Sequence, residues 1–369
     1  MHDDLVIALT YYAPYVSGLT NFARDVAEGL AARGQRVRVV TTRHDPALPA
    51  EEVVNGVRVS RAPVLAKLGK GTISPEFTRM VVAASKTAHV LNVHLPMLEA
   101  GLVAKGARCP VVLTYHCDVS LPPGLVNSVQ GKVIDASSKL AMKHARTVAV
   151  TSEDYARHSR LWPSIAPTMA AIPPPCRPVP AGKPSFRDGD GLHVGFLGRI
   201  VEEKGVEFLV DGFRALDDPD ARLLIGGEFG NVAGGSVIDR VRGHVDGDPR
   251  IKLLGFVPDD RLGDFYASMD VFALPSVNAF EAFGIVQVVG MLAGVPALAS
   301  DLPGVRIPVQ ETGFGALVRP GVAADITDRL RELRDSPPDK ESGVAAAAER
   351  YSVPAVLDAY EELFAKARL

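Results

Sequence analysis

The chain has 369 residues, an ordinary apolar share of 47% and a formal net charge of −3, which suits two globular domains. Its longest uncharged apolar run, residues 282–299, contains Gln287 and Pro296, so we expect a buried helix and strand there and exclude a membrane span. The acidic start lacks the positive segment of a signal peptide, and none is expected.

The first half of the sequence predicts alternating strands and helices. A buried strand at 5–9 is followed by a loop and an amphipathic helix that ends before Gly34. A strand at 37–42 precedes a hairpin centred on Asn55 and Gly56. Further strands, each preceded by a helix, are predicted at 89–95, 110–116 and 147–152. This alternation predicts a parallel sheet with helices on both faces.

A segment rich in proline and glycine, residues 172–191, is the best linker candidate. The alternation then restarts, with strands predicted at 192–198, 221–227, 251–256 and 270–276 and helices from about 204, near 236–244 and near 260–268. We therefore predict an α/β protein with two doubly wound, Rossmann-like domains at 1–180 and 186–350. The amphipathic helix at 352–369 is expected to pack back on the first domain.

The cysteines and the charge distribution give weaker information. Cys109, Cys117 and Cys176 match no CxxC spacing, so we expect free thiols in a reducing cytoplasm, without disulfides or a zinc site. The first 185 residues carry 21 Lys and Arg against 13 Asp and Glu, whereas the remainder carries 19 against 30. A basic first half suits an anionic acceptor or membrane surface, and the alternative is two solvated domain faces that attract each other.

Ligands of open parallel sheets bind at the loops that follow the carboxyl ends of the strands. These candidate loops are 10–20, 94–98, 115–121, 151–154, 198–205, 226–236, 256–260 and 275–284.

The polar residues of these loops suggest an anion site. Arg199 and Lys204 lie beside a predicted helix start and suit a diphosphate, and Gly18 precedes another helix start. His116 ends a strand, where it could bind a substrate hydroxyl, and His94 has the same kind of location with less support. No GxGxxG follows the first strand and no P-loop motif occurs, which argues against a dehydrogenase and a P-loop enzyme.

Several segments together resemble the family 4 retaining glycosyltransferases, which have the GT-B fold. The likeness is specific at 198–213, 253–276 and 281–305, continues at 312–321, and is moderate at 11–42. It implies two Rossmann-like domains that face each other across a cleft, with the acceptor on the first and the sugar donor mostly on the second. The implied enzyme is a retaining, metal-independent glycosyltransferase of the cytoplasm.

The resemblance also implies ligands and site residues. The donor would be a UDP-, GDP- or dTDP-sugar, with no other cofactor, and the acceptor a small molecule, a glycan or a lipid-linked molecule, not a nucleic acid. Arg199 and Lys204 would hold the diphosphate, Glu281 would contact the donor sugar, and His116 would lie near that sugar. The other implied donor contacts are Gly18, Phe256, Val257, Phe283 and Gly284.

One position departs from the family pattern. The second acid, which should follow Glu281 after eight residues and grip the ribose, is replaced by Val289. On a helix, eight residues advance ~12 Å. The loss of such hydrogen bonds costs about 1.5–3 kcal/mol.

Three hypotheses follow from Val289: another residue helps to hold an ordinary nucleotide sugar; the donor has no ribose hydroxyl pair or no nucleotide; or the chain is weakly catalytic or a non-catalytic binding subunit. A GT-B nucleotide-sugar epimerase is a further alternative.

The segment 125–146 raises the question of membrane contact. Its basic residues are Lys132, Lys139, Lys143 and Arg146. An amphipathic helix of this kind could touch the anionic inner face of the plasma membrane, although a solvated surface helix is the favoured interpretation.

Overall fold

The computed structural model describes residues 2–68, 71–119, 124–228 and 236–369. Within the candidate loops, residues 120–121 and 229–235 lie outside the described residues. The chain divides into two compact units, one made of Met1–Pro175 with Val353–Leu369 and the other of Cys176–Ser352.

The first unit is built on an eight-stranded sheet with the order β10-β9-β8-β7-β1-β2-β4-β3, and β5 and β6 form a separate two-stranded antiparallel sheet. Its strands are β1 (Asp3–Ala8), β2 (Val37–Arg43), β3 (Glu51–Val54), β4 (Val57–Pro63), β5 (Ala66–Leu68), β6 (Gly71–Ile73), β7 (Ala88–Leu95), β8 (Val111–Tyr115), β9 (Thr147–Val150) and β10 (Met169–Ala171). Its helices are α1 (Gly18–Ala32), α2 (Pro75–Ser85), α3 (Ala100–Gly106), α4 (Leu125–His144), α5 (Glu153–His158) and α6 (Trp162–Ile165).

The second unit is built on a six-stranded, all-parallel sheet with the order β13-β12-β11-β14-β15-β16. Its strands are β11 (His193–Leu197), β12 (Arg222–Gly226), β13 (Ile251–Gly255), β14 (Val271–Leu274), β15 (Ala297–Ser300) and β16 (Gly315–Val318). Its helices are α7 (Val206–Arg214), α8 (Ile238–Val245), α9 (Leu262–Ala267), α10 (Ile285–Leu292), α11 (Ile307–Thr312), α12 (Ala323–Asp335) and α13 (Lys340–Tyr351). The helix and strand expected in the run 282–299 are thus confirmed as α10 and β15.

The last helix, α14 (Val353–Arg368), belongs to the first unit. Its apolar face joins the main core of that unit, where Leu357, Tyr360 and Phe364 are buried together with Phe22 and Val26 of α1. At the rim, the Arg33 guanidinium pairs with Asp358 at 2.7 Å and with Glu361 at 2.6 Å. One face of the N-terminal sheet is therefore completed by residues from the far end of the chain.

Local chemistry explains the element boundaries closest to the sites. Helix α1 begins after Ser17, whose hydroxyl accepts from the backbone N–H of Thr20 and caps the helix. In the β3–β4 hairpin, Asn55 and Gly56 have φ values of 49° and 81°, the pair of left-handed residues that a tight hairpin turn requires. The antiparallel β3 at the sheet edge is the one exception to parallel pairing among the described strands of that sheet.

Each sheet reverses its strand order next to its first strand. In the first unit β1 lies between β2 and β7, and in the second unit β11 lies between β12 and β14. Loops that leave two such neighbouring strands diverge to opposite faces of a sheet and leave a crevice at its carboxyl edge. The loops that follow β1, β7, β11 and β14 are therefore the first places to look for a ligand site.

Candidate functional site

In the second unit, the loops after β11 and β14 are joined directly. The backbone N–H of Val277 donates to the carbonyl of Glu203 at 3.0 Å. Gly205 permits this approach because its φ is +60° and a Cβ there would lie 2.4 Å from the carbonyl oxygen of Pro275. The close contact brings the tips of the two loops together.

Lys204 and Glu281 form an ion pair between Nζ and Oε2 across these two loops. Their side chains are 15% and 17% exposed, so each charge has lost most of its water and is balanced by the other. The pair presents a cation and a carboxylate side by side at the carboxyl edge of the sheet. An incoming phosphate can replace the carboxylate as the partner of Lys204 and free Glu281 for a hydroxyl-bearing ligand.

Arg199 lies two residues beyond the end of β11, and its side chain is 47% exposed. Its guanidinium Nη2 donates to Oε1 of Glu203 at 3.0 Å on the same loop. The structure thus brings Lys204 and Glu281 into contact and holds Arg199 at the solvent-facing side of the same loop.

Two helices begin at these loops, and each has a glycine as its N-cap. Gly205 precedes α7 and Gly284 precedes α10, and neither helix has a side-chain cap bond. The first N–H groups of a helix that lacks such a cap can donate to an anion, and the helix dipole adds attraction. Phosphate oxygens would meet backbone donors as well as Lys204 at this edge.

The turn from 281 to 284 is not helical. The helical rise of ~12 Å that we expected between positions 281 and 289 is therefore wrong. Gly284 has a φ of +80°, and a Cβ there would lie 2.3 Å from Cδ2 of Leu274. The chain therefore turns sharply at Gly284, and helical rise applies only from Ile285 onward. Glu281 stands on the turn, whereas Val289 stands on the helix.

Gln287 fixes this turn, a role that we did not predict from the sequence. Its fully buried Nε2 donates to the carbonyls of Phe283 at 2.8 Å and Val305 at 2.9 Å. The Phe283 ring is buried against Tyr351, with centroids 5.6 Å apart. Phe283 therefore contributes its backbone to the edge. A lone amide in an otherwise apolar run is the signal that could have marked Gln287 as a structural tie.

Two further predicted residues follow β13. Phe256 is 70% exposed, so its ring is available for stacking. Val257 is 5% exposed and belongs to the core, which leaves its backbone as the part available to a ligand. Val289 is partly exposed on α10 and packs against the same core cluster.

In the first unit, Gly18 is the first residue of α1, and a Cβ there would meet no atom within 4 Å. The packing of the described part of this unit therefore leaves open space beside the backbone of Gly18. Gly18 is exposed at this helix start, and its role as a donor contact stays a prediction.

His116 is joined to His94, with 2.9 Å between its Nε2 and Nδ1 of His94. His94 Nε2 lies 2.9 Å from Oδ1 of Asn92. Asn92 and His94 alternate on β7, so they share one face of the sheet, and both are buried. The structure gives His94 more weight than the sequence did and adds Asn92. Polar residues at alternate positions of a buried strand are the signal that could have marked Asn92.

Burial determines the charge of both histidines. It lowers the pKa of His116 to about 3. It also lowers the pKa of His94 well below its usual value, and the neighbouring His116 adds to that effect. Both imidazoles are therefore neutral near pH 7 and can exchange hydrogen bonds without a charge.

Neither a clustered metal site nor a membrane helix is found in the described residues. Over 2–68, 71–119, 124–228 and 236–369, no group of three or more His, Cys, Asp or Glu is placed to hold a metal ion. None of the helices in those ranges is long and apolar enough to span a bilayer. No disulfide bond joins Cys109, Cys117 or Cys176 within the described residues.

Comparison with solved structures gives the class. Sucrose-phosphate synthase of Thermosynechococcus elongatus superposes with a TM-score of 0.74 at 20% identity, covering 99% of this chain and 100% of that one. HepE of Anabaena, in a structure with UDP, gives a TM-score of 0.73 at 18% identity, covering 98% and 100%. The two parallel-sheet α/β units are thus those of the GT-B glycosyltransferase fold.

Family models and sequence relatives give the family. A model described as "Glycosyl transferase 4-like domain" matches residues 17–175, and one described as "Glycosyl transferases group 1" matches 191–336. Phosphatidyl-myo-inositol mannosyltransferase of Mycobacterium leprae is 31% identical over 90% of this chain and 87% of its own length. D-inositol 3-phosphate glycosyltransferase of Xylanimonas cellulosilytica is 27% identical over 94% and 91%. The chain belongs to the family 4 glycosyltransferases and is an enzyme that transfers a sugar to an acceptor.

Proposed function

We propose that the protein is a retaining glycosyltransferase that uses a nucleoside diphosphate sugar without a metal ion. The observation that carries this proposal is the Lys204–Glu281 pair between two uncapped helix starts. Cleavage of a sugar–phosphate bond needs positive groups that stabilise the departing diphosphate. Lys204, the N–H groups at α7 and α10, and the guanidinium of Arg199 supply them.

Glu281 then takes a second role in the proposed reaction. Once the diphosphate binds Lys204, the carboxylate is free to accept hydrogen bonds from the sugar and to favour positive charge at its anomeric carbon. Retention would follow from attack on the same face as the leaving phosphate, which takes the proton of the acceptor hydroxyl. Glu281 need not act as a base in this scheme.

The remaining residues divide the ligand between them. Phe256 offers an exposed ring to the base, next to the backbone of Val257. The backbone at Phe283 and Gly284 approaches the phosphates. Gly18 and His116 of the first unit are assigned to the sugar. Because Val289 cannot accept a hydrogen bond, we propose that the ribose is held by another group, and a donor without the hydroxyl pair is the alternative.

Titration calorimetry tests this proposal directly. Uridine, guanosine and deoxythymidine diphosphates would be compared with and without EDTA. We expect one ribonucleotide to bind most tightly and its affinity to be unchanged by EDTA. Tightest binding of the deoxynucleotide would favour the alternative donor, and absence of binding by all three would contradict a nucleotide donor. Anomeric configuration of the product, read by NMR, tests retention.

The acceptor class is also a proposal. The relatives named above act on inositol phosphate and on a phosphatidyl-inositol, as their names state. A phosphorylated or lipid-linked polyol fits the excess of Lys and Arg in the first 185 residues.

We also propose a peripheral contact between α4 and anionic membranes. The solvent face of α4 places Val129 and Val133, which are 55% and 48% exposed, beside Lys132. Apolar and basic residues on one exposed face suit the interface of an anionic bilayer. In a flotation assay with phosphatidylglycerol vesicles, we expect the wild-type protein to float with the vesicles and the Lys132→Glu variant to stay behind. Equal recovery with neutral vesicles, or no flotation with either, would contradict the contact.

A further inference from the structure

The hydrogen-bond chain behind His116 begins at an amide whose orientation is fixed. Asn92 Nδ2 donates to the carbonyl oxygen of Val112 at 3.2 Å and to Oγ1 of Thr114 at 3.0 Å. A backbone carbonyl can only accept, so the atom that faces it must be the NH₂ group. The other amide atom, Oδ1, therefore faces His94.

The next two protons follow from that orientation. Because Asn92 Oδ1 only accepts, His94 must carry its proton on Nε2. A neutral imidazole has a single N–H, so Nδ1 of His94 is an acceptor. His116 Nε2, 2.9 Å away, must then donate to it. The Nδ1 of His116 is left without a proton.

We propose that Asn92 and His94 are positioning residues that hold His116 in its Nε2–H tautomer and so present Nδ1 as an acceptor for a substrate hydroxyl. This inference rests on the proposed function, in which His116 lies near the sugar. Asn92 and His94 are 0% and 1% exposed, whereas His116 is partly exposed. The hydrogen-bond chain therefore runs from the core to the surface.

Packing holds the rings in place for this role. The Phe22 ring meets both imidazoles edge-on, with centroids 4.8 Å from His116 and 5.8 Å from His94. On the other side of Asn92, Thr114 Oγ1 lies 3.4 Å from the hydroxyl of Tyr360 on α14. Rotation of either imidazole would require the Phe22 ring to move, so packing fixes the orientation of both rings.

Nitrogen-15 NMR of the full-length protein tests the tautomer without any substrate. All nine histidines would be labelled, and His116→Gln would assign the relevant signals. We expect a proton on Nε2 of His116, an unprotonated Nδ1, and a scalar coupling to Nδ1 of His94 across the hydrogen bond. A proton on Nδ1 of His116, or the absence of that coupling, would overturn the inference.

Two substitutions of His94 test the effect on catalysis. His94→Asn can place an acceptor, its amide Oδ1, close to the position of Nδ1, whereas His94→Leu removes the acceptor. With UDP-glucose as the probe donor, we expect kcat to fall roughly 10-fold in His94→Leu and to be largely restored in His94→Asn. Equal rates for the two variants, at similar melting temperatures, would overturn the positioning role.

The two measurements separate this inference from the proposed function. If the protein does not use UDP-glucose, the NMR result still decides the tautomer. We call the hydrogen-bond chain Asn92–His94–His116 the histidine relay. If transfer proceeds but the proton lies on Nδ1 of His116, the relay is contradicted and the transferase proposal stands. If His94→Leu does not fold, NMR of the wild type and rate measurements on His94→Asn remain sufficient. A transfer rate of His94→Asn as low as that of a His116→Gln variant would also contradict the relay.

Discussion

At the scale of single residues, Lys204 and Glu281 neutralise each other across two loops. They are 77 positions apart in sequence and meet because two neighbouring strands end at the same edge. In the free protein each neutralises the other, so neither buried charge is left alone. In the proposed reaction, a diphosphate would replace Glu281 as the partner of Lys204, which would limit the desolvation cost of binding the anion.

Replacing Glu281 by alanine should abolish transfer while the fold persists. Loss of a group that stabilises transition-state charge typically lowers kcat by at least about 100-fold. Transfer rates and thermal melts of Glu281→Ala would be measured beside Glu281→Gln, which keeps the shape and loses the charge. Near-normal turnover by Glu281→Ala would remove the role assigned to the carboxylate.

Restoring an acid at position 289 should strengthen the binding of ribonucleotides. The side chain is partly exposed on α10, so a longer residue has a path to solvent. A regained charged hydrogen bond to the ribose should raise UDP affinity about 10-fold in Val289→Glu. Calorimetry with UDP and 2′-deoxyuridine diphosphate supplies the matched comparison. The same gain for both nucleotides would show that the acid does not reach the hydroxyl pair.

The neutral histidine at 116 should make the protein less stable in mild acid. Its pKa is about 3 in the folded state, below the usual 6.5, so the unfolded chain takes up the proton first. Stability is therefore present above about pH 6.5 and is lost as the pH falls from there toward 3. Between pH 7.5 and 5.5 we expect wild type to lose about 1.4 kcal/mol more than His116→Gln. Urea unfolding at both pH values measures this; an equal loss in the two proteins would contradict it.

At the scale of elements, regular patterns were predictable and tertiary turns were not. The β3–β4 hairpin follows from Asn55 and Gly56, two residue types that tolerate the left-handed conformation. The start of α10 does not follow from the sequence, because apolar residues continue on both sides of Gly284. The turn there depends on the contact with Leu274 and the bonds of Gln287, which lie outside any local pattern.

Arg199, Lys204 and His116 are charged or polar residues in loops that follow predicted strands, so the sequence alone could nominate them. Glu281 was assigned from the resemblance to the family. Asn92 escaped notice because its partners lie on the next strand and become visible only with the register of β7 against β8. The side-chain burial of Val257 and Phe283 likewise needed the packed core.

The contact between α14 and α1 should carry a measurable part of the stability of the first unit. Leu357 is 4% exposed, and its methyl groups pack against Gly29. Leu357→Ala leaves a cavity and should cost about 2–5 kcal/mol. Leu369→Ala is the matched control, since Leu369 is 94% exposed. The single tryptophan, Trp162, lies in this unit and reports its unfolding by fluorescence. Identical urea midpoints for the two variants would contradict the assignment.

At the scale of the whole molecule, the candidate residues divide between two units with separate cores. The residues assigned to the diphosphate belong to the second unit, and the histidine relay belongs to the first. Substitutions in one unit should therefore affect one task selectively.

His116→Gln should separate nucleotide binding from sugar transfer. The relay has its own hydrogen bonds within the first unit, so its loss should leave the UDP dissociation constant within about 3-fold of wild type. Transfer should fall strongly. Calorimetry and rate measurements on the same preparation give both numbers. A large loss of nucleotide affinity would show that the two tasks are not divided in this way.

The return of α14 to the first unit has a consequence for biosynthesis. Ribosomes deliver residues 1–175 first, but the buried positions between Val356 and Ala367 arrive only after the whole of Cys176–Ser352 has been made. The later-synthesised unit is continuous and can complete its fold while the earlier one still waits with an apolar helix face uncovered. During translation, that uncovered face is where a nascent chain of this enzyme would need protection from aggregation.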